Sequence, residues 1–240
     1  MTSPIIDVNT IFGFWPFREI DISAKALVEI MRVHKVLRAC SLSTKGIFYD
    51  FHLGNEETWK VSQTYPKIIP VATFDFSRYL GIKDEIRQRL NQGFKLFRLL
   101  PDYQCWKIDD LRFQKVLPLF EEIAAPVIIG MQNSRLSTLS KIAAGFSFPI
   151  ILEGVSFYDT GEILEIMGQH PNFYVETHWL NGPDTVEILV NHFGPQRLIF
   201  GSNSPLFYMG GAIERIKNAD ITEHQKELIF GKNLMSLLGE

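Results

Sequence analysis

Short apolar runs alternate with longer amphipathic segments along the whole chain. The runs are rich in β-branched residues and have the length of buried strands, and we predict eight of them, over 4–9, 36–43, 67–75, 94–99, 126–131, 149–155, 172–177 and 197–202. Between them, apolar residues recur at the 3.6-residue spacing of a helix. Because a parallel neighbouring strand is reached only by a long crossover, this alternation predicts a parallel sheet covered by helices.

The helical segments also have recognisable ends. They are predicted over 23–34, 56–65, 79–92, 111–124, 136–145, 160–170, 183–193, 211–218 and 222–238. Ser23 is placed to cap the first, and Thr222 and Gln225 have the spacing of a capping box at the last. Eight such units predict a closed (β/α)8 TIM barrel, formed as one domain by residues 1–240. An open, doubly wound sheet is the alternative, but no Gly-x-Gly-x-x-Gly or Walker-type loop follows a predicted strand.

The barrel directs attention to the residues that follow each strand. In this fold the active site is built by loops at the carboxyl ends of the strands. The longest irregular segments predicted, 44–55 and 100–110, follow the second and fourth strands and therefore belong to that face. The strand ends supply the candidate residues, since their backbones are rigid and their side chains converge on one mouth.

Composition narrows the class of partner. The chain has 240 residues, 46% of them hydrophobic and 21% charged, with a net charge of -3 and no dense basic run. We therefore expect neither nucleic acid nor a membrane as a partner, but a small molecule. The first residues lack the basic and apolar regions of a secretory leader, and the two cysteines form no disulfide framework, so we expect a cytoplasmic protein.

The order of residues in several segments resembles the amidohydrolase-related barrel enzymes. Asp7-Val8-Asn9-Thr10-Ile11 stands where active members of that family have Asp-x-His-x-His, and a glycine follows in both. Gly201-Ser202-Asn203-Ser204-Pro205 is similar to the family's Gly-Ser-Asp-x-Pro after the last strand, and segments 93–101 and 231–239 are similar to its fourth strand and closing helix. The resemblance covers residues 4–239 and implies the barrel independently of periodicity.

The same resemblance exposes missing metal ligands. Metal-dependent members hold a divalent ion with histidines and with an aspartate after strand eight. The corresponding positions here are Asn9, Ile11, the 130–132 stretch, Glu153 and Asn203. Ile11 has no donor atom, and a neutral amide is a poor zinc ligand that cannot take a proton from water. We therefore expect no metal and no other cofactor, although a displaced metal site built from Asp7, Glu153 and His178 is an alternative.

Three side chains are candidates for moving a proton, and each also has a structural interpretation. Asp7 is either a catalytic acid or base, or a buried aspartate bonded to the backbone or to an arginine. Glu153 is a base or the partner of Arg98 or Lys95 in an ion pair. His178 follows strand seven, and the unperturbed imidazole pKa of about 6.5 suits acid-base work, but a buried histidine with satisfied hydrogen bonds is the alternative.

The remaining candidates would bind the substrate. Arg98, assisted by Arg18, offers a planar fork for a carboxylate, which is a use that the family often makes of such an arginine. Neutral donors to a developing oxyanion are predicted at Asn9, Gln132 and Asn203. Trp15 belongs to an aromatic loop, Trp15-Pro16-Phe17-Arg18, that either walls the pocket or contacts another subunit of a homo-oligomer.

Together these residues predict a metal-independent hydrolase or decarboxylase of a small carboxylated compound. The alternative, from another class, is a barrel that has lost catalysis and serves as a ligand-binding or oligomeric scaffold. The mouth of the barrel discriminates between them. A deep polar pocket favours the enzyme, and a mouth filled by Trp15 and Phe17 favours the scaffold.

Overall fold

The eight predicted strands form one parallel sheet in sequence order in the computed structural model, which describes residues 4–78, 80–131 and 136–240. Their bounds are β1 Ile5–Phe12, β2 Val36–Ser43, β3 Ile68–Ala72, β4 Leu96–Leu99, β5 Val127–Gly130, β6 Ile150–Glu153, β7 Phe173–Glu176 and β8 Leu198–Ile199. The predicted strand positions are thus confirmed, with β1 longer and most others shorter than expected.

The sheet closes on itself between β1 and the segment that follows β8. The Val8 amide donates to the Phe200 carbonyl at 3.0 Å, and the Ile11 amide to the Ser204 carbonyl at 3.1 Å. Thr10 and Ser204 also form a parallel bridge. This closure removes the exposed edges of the sheet and confirms the (β/α)8 barrel, so the open doubly wound alternative is wrong.

Helices follow the strands around the outside. Their bounds are α1 Ala24–Val33, α2 Lys45–Phe48, α3 Phe51–Thr64, α4 Ile82–Gln92, α5 Leu111–Gln114, α6 Leu117–Ile123, α7 Leu136–Ala143, α8 Thr160–Gln169, α9 Thr185–Phe193, α10 Met209–Asn218, α11 Glu223–Glu227 and α12 Asn233–Leu237. Both predicted caps are present, because Ser23 accepts from the Ala26 amide and Thr222 and Gln225 form a capping box.

Three helix predictions need correction. Segment 44–55 is largely helical, because the Asp50 side chain caps α3 by accepting from the Leu53 amide and so starts that helix earlier than expected. The helix predicted over 111–124 is divided into α5 and α6, with Pro118, which has no amide hydrogen, near the start of the second. The last predicted helix contains a π-helical turn between α11 and α12.

Alternation along the strands arranges the barrel interior in layers. One group of buried apolar side chains receives a member from nearly every strand and therefore fills the inside; it includes Ile6, Val8, Cys40, Leu42, Ile69, Val71, Leu96, Ile128, Ile151 and Ile199. Because side chains two residues apart share a face, the next inward positions are Arg98, Gly130, Glu153, Glu176 and Gly201. The apolar interior thus ends, and a polar layer begins, at the carboxyl end of the strands.

A bulge interrupts this alternation in β1. Asp7 pairs with Ala39 and Thr10 with Ser41, so β1 has one more residue than β2 between these two pairs. Such a bulge re-aims side chains and is common beside active sites. Here it changes the direction of the side chains around Asn9, at the level of the polar layer.

Among the described residues, no helix combines the length and apolar character needed to cross a membrane.

Candidate active site

A buried ion pair forms the floor of the barrel mouth. Arg98 at the end of β4 donates from Nε and Nη2 to the two carboxylate oxygens of Glu153 at the end of β6, at 2.7 and 2.5 Å. The two side chains are 4% and 8% exposed. Burial alone would raise the pKa of Glu153, but the charge and hydrogen bonds of Arg98 hold that pKa below its ordinary value. The ion pair with Arg98, which was the structural interpretation of Glu153, is therefore present.

The pair lies in a pocket at the centre of the mouth. Its lining residues come from the loops after several strands: Ile11, Trp15, Ile47, Arg98, Leu100, Pro101, Asp102, Tyr103, Gly130, Glu153, Asn203 and Leu206. The cavity volume is about 20 Å³, which holds about one water molecule. The pocket therefore has a charged floor and largely apolar walls, and it admits a larger ligand only if its walls move.

Four aromatic rings form the wall that narrows the pocket. Trp15 packs edge-on against Phe17, Phe48 and Tyr103, with ring centroids 5.5, 5.4 and 5.5 Å apart. Phe17 itself is 68% exposed. Burial, and to a lesser degree the charge of Glu153, raises the pKa of Tyr103, so its phenol keeps its proton at neutral pH. Trp15 and Tyr103 line the pocket, whereas Phe17 supports them from the solvent side.

A second polar group, made by Glu176, His178 and Asn9, lies outside the pocket lining. Glu176 at the end of β7 is fully buried and accepts from the His178 amide at 2.7 Å, and its other carboxylate oxygen bonds to His178 Nδ1. Asn9 donates from Nδ2 to Glu176 at 3.2 Å. Asn9 therefore joins this group through the Glu176 carboxylate.

Two polar atoms of this group have no hydrogen-bond partner. These are Oδ1 of Asn9 and Nε2 of His178, and both are buried. An unsatisfied buried polar atom is costly in free energy, about 1–3 kcal/mol. Such atoms are expected where a ligand or an ordered water completes the structure.

Asp7 lies at the seam of the barrel, outside the pocket lining. Its carboxylate accepts from the Asn9 amide at 3.0 Å, from the Ser202 amide at 3.1 Å and from the Ser202 hydroxyl at 2.5 Å. Burial, opposed by these hydrogen bonds, raises the pKa of Asp7 to about 7. This placement favours the structural interpretation of Asp7, as the residue that ties β1 to the chain after β8.

The other predicted residues are distributed unevenly. Asn203 lines the pocket, in a left-handed backbone conformation with φ of 52°. Arg18 is exposed, lies outside the pocket lining and donates to the Leu206 carbonyl at 2.6 Å. Gln132 lies outside the described residues. The structure thus brings Arg98, Glu153, Trp15 and Asn203 to one pocket and places Arg18 at its rim.

The donor set does not fit a divalent ion. Among the residues that the structure describes, no group of three or more His, Cys, Asp or Glu side chains is placed to hold a metal. The alternative site of Asp7, Glu153 and His178 is not assembled, because these three are bonded to Ser202, Arg98 and Glu176 respectively. A guanidinium already occupies both oxygens of Glu153, where a cation would bind.

Two residues of the site, Glu176 and Tyr103, belong to the predicted strand ends but received no role from the sequence. Glu176 was detectable, since it precedes His178 by two residues at a strand end and two such side chains share a face. Tyr103 lies in the turns after β4, where no periodic pattern indicates which side chain turns inward. Only the packing against Trp15 reveals it.

Comparisons with known proteins agree with this architecture. Residues 55–239 match the model of a family described as amidohydrolase. The comparison with curated proteins gives no match. An uncharacterised TIM-barrel protein from Bordetella bronchiseptica is 16% identical, with a TM-score of 0.80 and coverage of 99% of this chain and 100% of that one.

Two similar structures have named activities. Dihydroxybenzoic acid decarboxylase from a Polaromonas species, with bound manganese and the inhibitor 2-nitroresorcinol, is 14% identical, with a TM-score of 0.77 and coverage of 99% and 97%. A probable 2-pyrone-4,6-dicarboxylic acid hydrolase from Acinetobacter baumannii, with citric acid bound, is 16% identical, with a TM-score of 0.74 and full coverage of both chains. At these identities the likeness shows the fold alone.

Proposed function

This chain belongs to the amidohydrolase family, and we propose that it binds a small carboxylated compound in its barrel mouth and decarboxylates or hydrolyses it without a metal ion. The observation that carries the proposal is Arg98, which lines the pocket with its charge buried. Two similar structures, a decarboxylase and a probable hydrolase of carboxylated compounds, are consistent with this substrate class.

Arg98 has donors left for a ligand. Its bonds to Glu153 and to the Thr10 carbonyl use three of its N–H groups. A guanidinium has five such groups, so one remains on each terminal nitrogen. A carboxylate in the pocket would accept from these two groups while Glu153 keeps the guanidinium in place. The apolar walls around them suit the rest of a small, flat molecule.

Proton transfer falls to His178 in this proposal, because both carboxylate oxygens of Glu153 are bonded to Arg98. Decarboxylation breaks a carbon–carbon bond, releases CO2 and leaves a carbon that takes up a proton; hydrolysis requires that water loses one. His178, whose Nε2 is unpartnered, gives or takes that proton in this proposal. The amides of Asn203, which lines the pocket, and of Gln132, as predicted from the sequence, are neutral donors to negative charge that develops on oxygen in this proposal, whereas the Asn9 amide nitrogen is engaged by Glu176.

We further propose that the chain is a divergent member whose metal ligands have been replaced. Support comes from the donor set: the residues at the family's ligand positions include a hydrocarbon at Ile11 and amides at Asn9 and Asn203. The positive charge that a metal would supply at the pocket floor is supplied by Arg98 instead.

The test is binding of small acids to metal-stripped protein, measured by titration calorimetry with 2,6-dihydroxybenzoate, 2-pyrone-4,6-dicarboxylate and citrate. We expect at least one to bind, and Arg98→Met/Glu153→Gln, which neutralises the pair together, to weaken that binding at least tenfold. Arg112→Met is the matched control, because Arg112 makes a similar two-pronged pair with Asp110 outside the pocket lining. Equal binding to the double variant and the parent would refute the assignment.

One observation favours the scaffold instead, namely the narrow pocket behind the Trp15 wall. If the folded parent binds and converts none of these acids, and Trp15→Ala binds none either, the mouth is a packed surface and the enzymatic proposal is wrong. If Trp15→Ala binds acids more tightly or faster than the parent, the wall is a gate to a working pocket.

A further inference from the structure

The Glu176–His178 pair has a defined donor and acceptor pattern. Two hydrogen-bond donors converge on the Glu176 carboxylate, namely the His178 amide and the Asn9 Nδ2 group, and His178 Nδ1 also lies within hydrogen-bonding distance of it. An ionised carboxylate has no hydrogen to donate to Nδ1, whereas a protonated carboxyl would direct its one hydrogen toward one of its neighbours and accept less well from the two donors. The arrangement is therefore complete when Nδ1 of His178 carries the proton.

This arrangement also determines the protonation state of Nε2, the other ring nitrogen of His178. With Nδ1 protonated, the neutral imidazole presents an electron pair at Nε2, which is buried and unpartnered. The 3.4 Å approach of Asn9 Nδ2 to Nδ1 brings two donors together and is not a hydrogen bond in this state. Both unpartnered atoms, Nε2 of His178 and Oδ1 of Asn9, are then acceptors, so the group that completes them is a donor such as water, a hydroxyl or an amine.

The surrounding structure is built to hold Glu176. A Cβ atom at Gly201 would lie 2.1 Å from Glu176 Oε1, so the side chain occupies space that any other residue at 201 would fill. Arg215 of α10 donates to the carbonyls of Thr177 and His178, at 2.9 and 3.0 Å. These bonds hold the backbone that directly follows Glu176.

We infer that Glu176 is a positioning residue, which holds His178 in the tautomer with Nδ1 protonated and directs a basic Nε2 toward a hydrogen-bond donor. The use of Nε2 in a reaction rests on the proposed function, but the tautomer does not. A buried carboxylate that orients a histidine in this way is a recurrent device of acid-base catalysis.

The tautomer is measurable without a substrate. Protein labelled with ¹⁵N-histidine gives ring nitrogen shifts in long-range ¹H–¹⁵N spectra, and His178→Gln assigns the signal. For neutral His178 we expect a protonated Nδ1, an unprotonated Nε2 and a downfield proton shared with Glu176. A protonated Nε2 in the neutral ring would overturn the inference, and this reading needs only the parent protein.

Two variants test whether Glu176 is what holds His178 in this tautomer. Glu176→Gln should abolish the downfield proton and mix the two tautomers of His178. Glu85→Gln is the matched control, since Glu85 accepts from His52 Nδ1 at 2.8 Å in a second pair of the same type. It should change the His52 signal and leave His178 unaltered. An unchanged His178 spectrum in Glu176→Gln would contradict the positioning role.

These outcomes separate the inference from the proposed function. If no small acid binds but neutral His178 carries its proton on Nδ1, the positioning role stands and the substrate proposal fails. If acids bind through Arg98 but Nε2 carries the proton, the substrate proposal stands and the role of Glu176 is refuted.

Discussion

Replacing the buried Asp7 with asparagine should change how the stability of the barrel depends on pH. Burial raises the pKa of Asp7 from 3.8 to about 7, so between these pH values the folded chain keeps a proton that the unfolded chain has lost. The free energy of unfolding therefore decreases as pH rises through this window and levels off above it. At roughly 1.4 kcal/mol per pH unit, the loss amounts to about 4 kcal/mol.

Asparagine reproduces the protonated state. Its Oδ1 accepts from the two backbone amides that Asp7 now binds, and its Nδ2 donates to the Ser202 hydroxyl, which in turn donates to Ser204 at 2.8 Å. Asp7→Asn should therefore remove this contribution to the pH dependence. The variant gains stability over the parent as pH rises, up to about 4 kcal/mol near pH 8.

The assay is urea unfolding of parent and Asp7→Asn at a series of pH values from about 4 to 8, compared as a difference so that other titrating groups cancel. Asp84→Asn, which removes one exposed negative charge, reports how much of the change comes from net charge alone. A difference between parent and Asp7→Asn that stays constant within about 0.5 kcal/mol over the series would refute the reasoning about Asp7.

Three more predictions concern the polar layer at the carboxyl end of the strands. Arg98→Met alone should destabilise the fold by about 3–5 kcal/mol, because it leaves Glu153 buried without its partner, and Arg98→Met/Glu153→Leu should recover most of that loss in urea unfolding; equal losses would show that the pair is not coupled. Elemental analysis of protein purified without added metal should find far less than one zinc or manganese per chain, and near-stoichiometric metal would contradict the metal-independent proposal. Gly201→Ala should lower stability by about 1–3 kcal/mol because its Cβ overlaps Glu176, whereas Gly211→Ala, with open space around it, should be neutral or stabilising in thermal unfolding.

The barrel was predictable because it depends on local patterns. Apolar runs and helical periodicity recur with a spacing that favours a parallel sheet covered by helices, the resemblance to the amidohydrolase-related enzymes favours its closure into a barrel, and the caps at Ser23 and Thr222 are set by residues within a few positions. The boundaries were less predictable. Segment 44–55 has the sequence pattern of a loop. The Asp50 side chain nevertheless caps α3, so that helix begins within the segment.

The site was predictable only as a set of strand ends. Sequence position identified Arg98, Glu153, His178 and Asn203, since parallel strands present their carboxyl ends together. It did not decide which of them pair. Asp7 bonds across the seam to Ser202, 195 residues away, a contact that exists only because the barrel closes there.

The sequence by itself therefore determined the eightfold alternation, the barrel and the polar character of its mouth, because these follow from the spacing of apolar residues, from the resemblance of several segments to the amidohydrolase-related enzymes and from the types of residue at strand ends. The tertiary structure decided the partners. The β1 bulge that turns Asn9 toward Glu176, the pairing of Arg98 with Glu153 and the narrowing of the pocket by Trp15 and Tyr103 all join residues from distant strands. Charge and hydrogen-bonding capacity are properties of a side chain alone, but the group that satisfies them is fixed by packing.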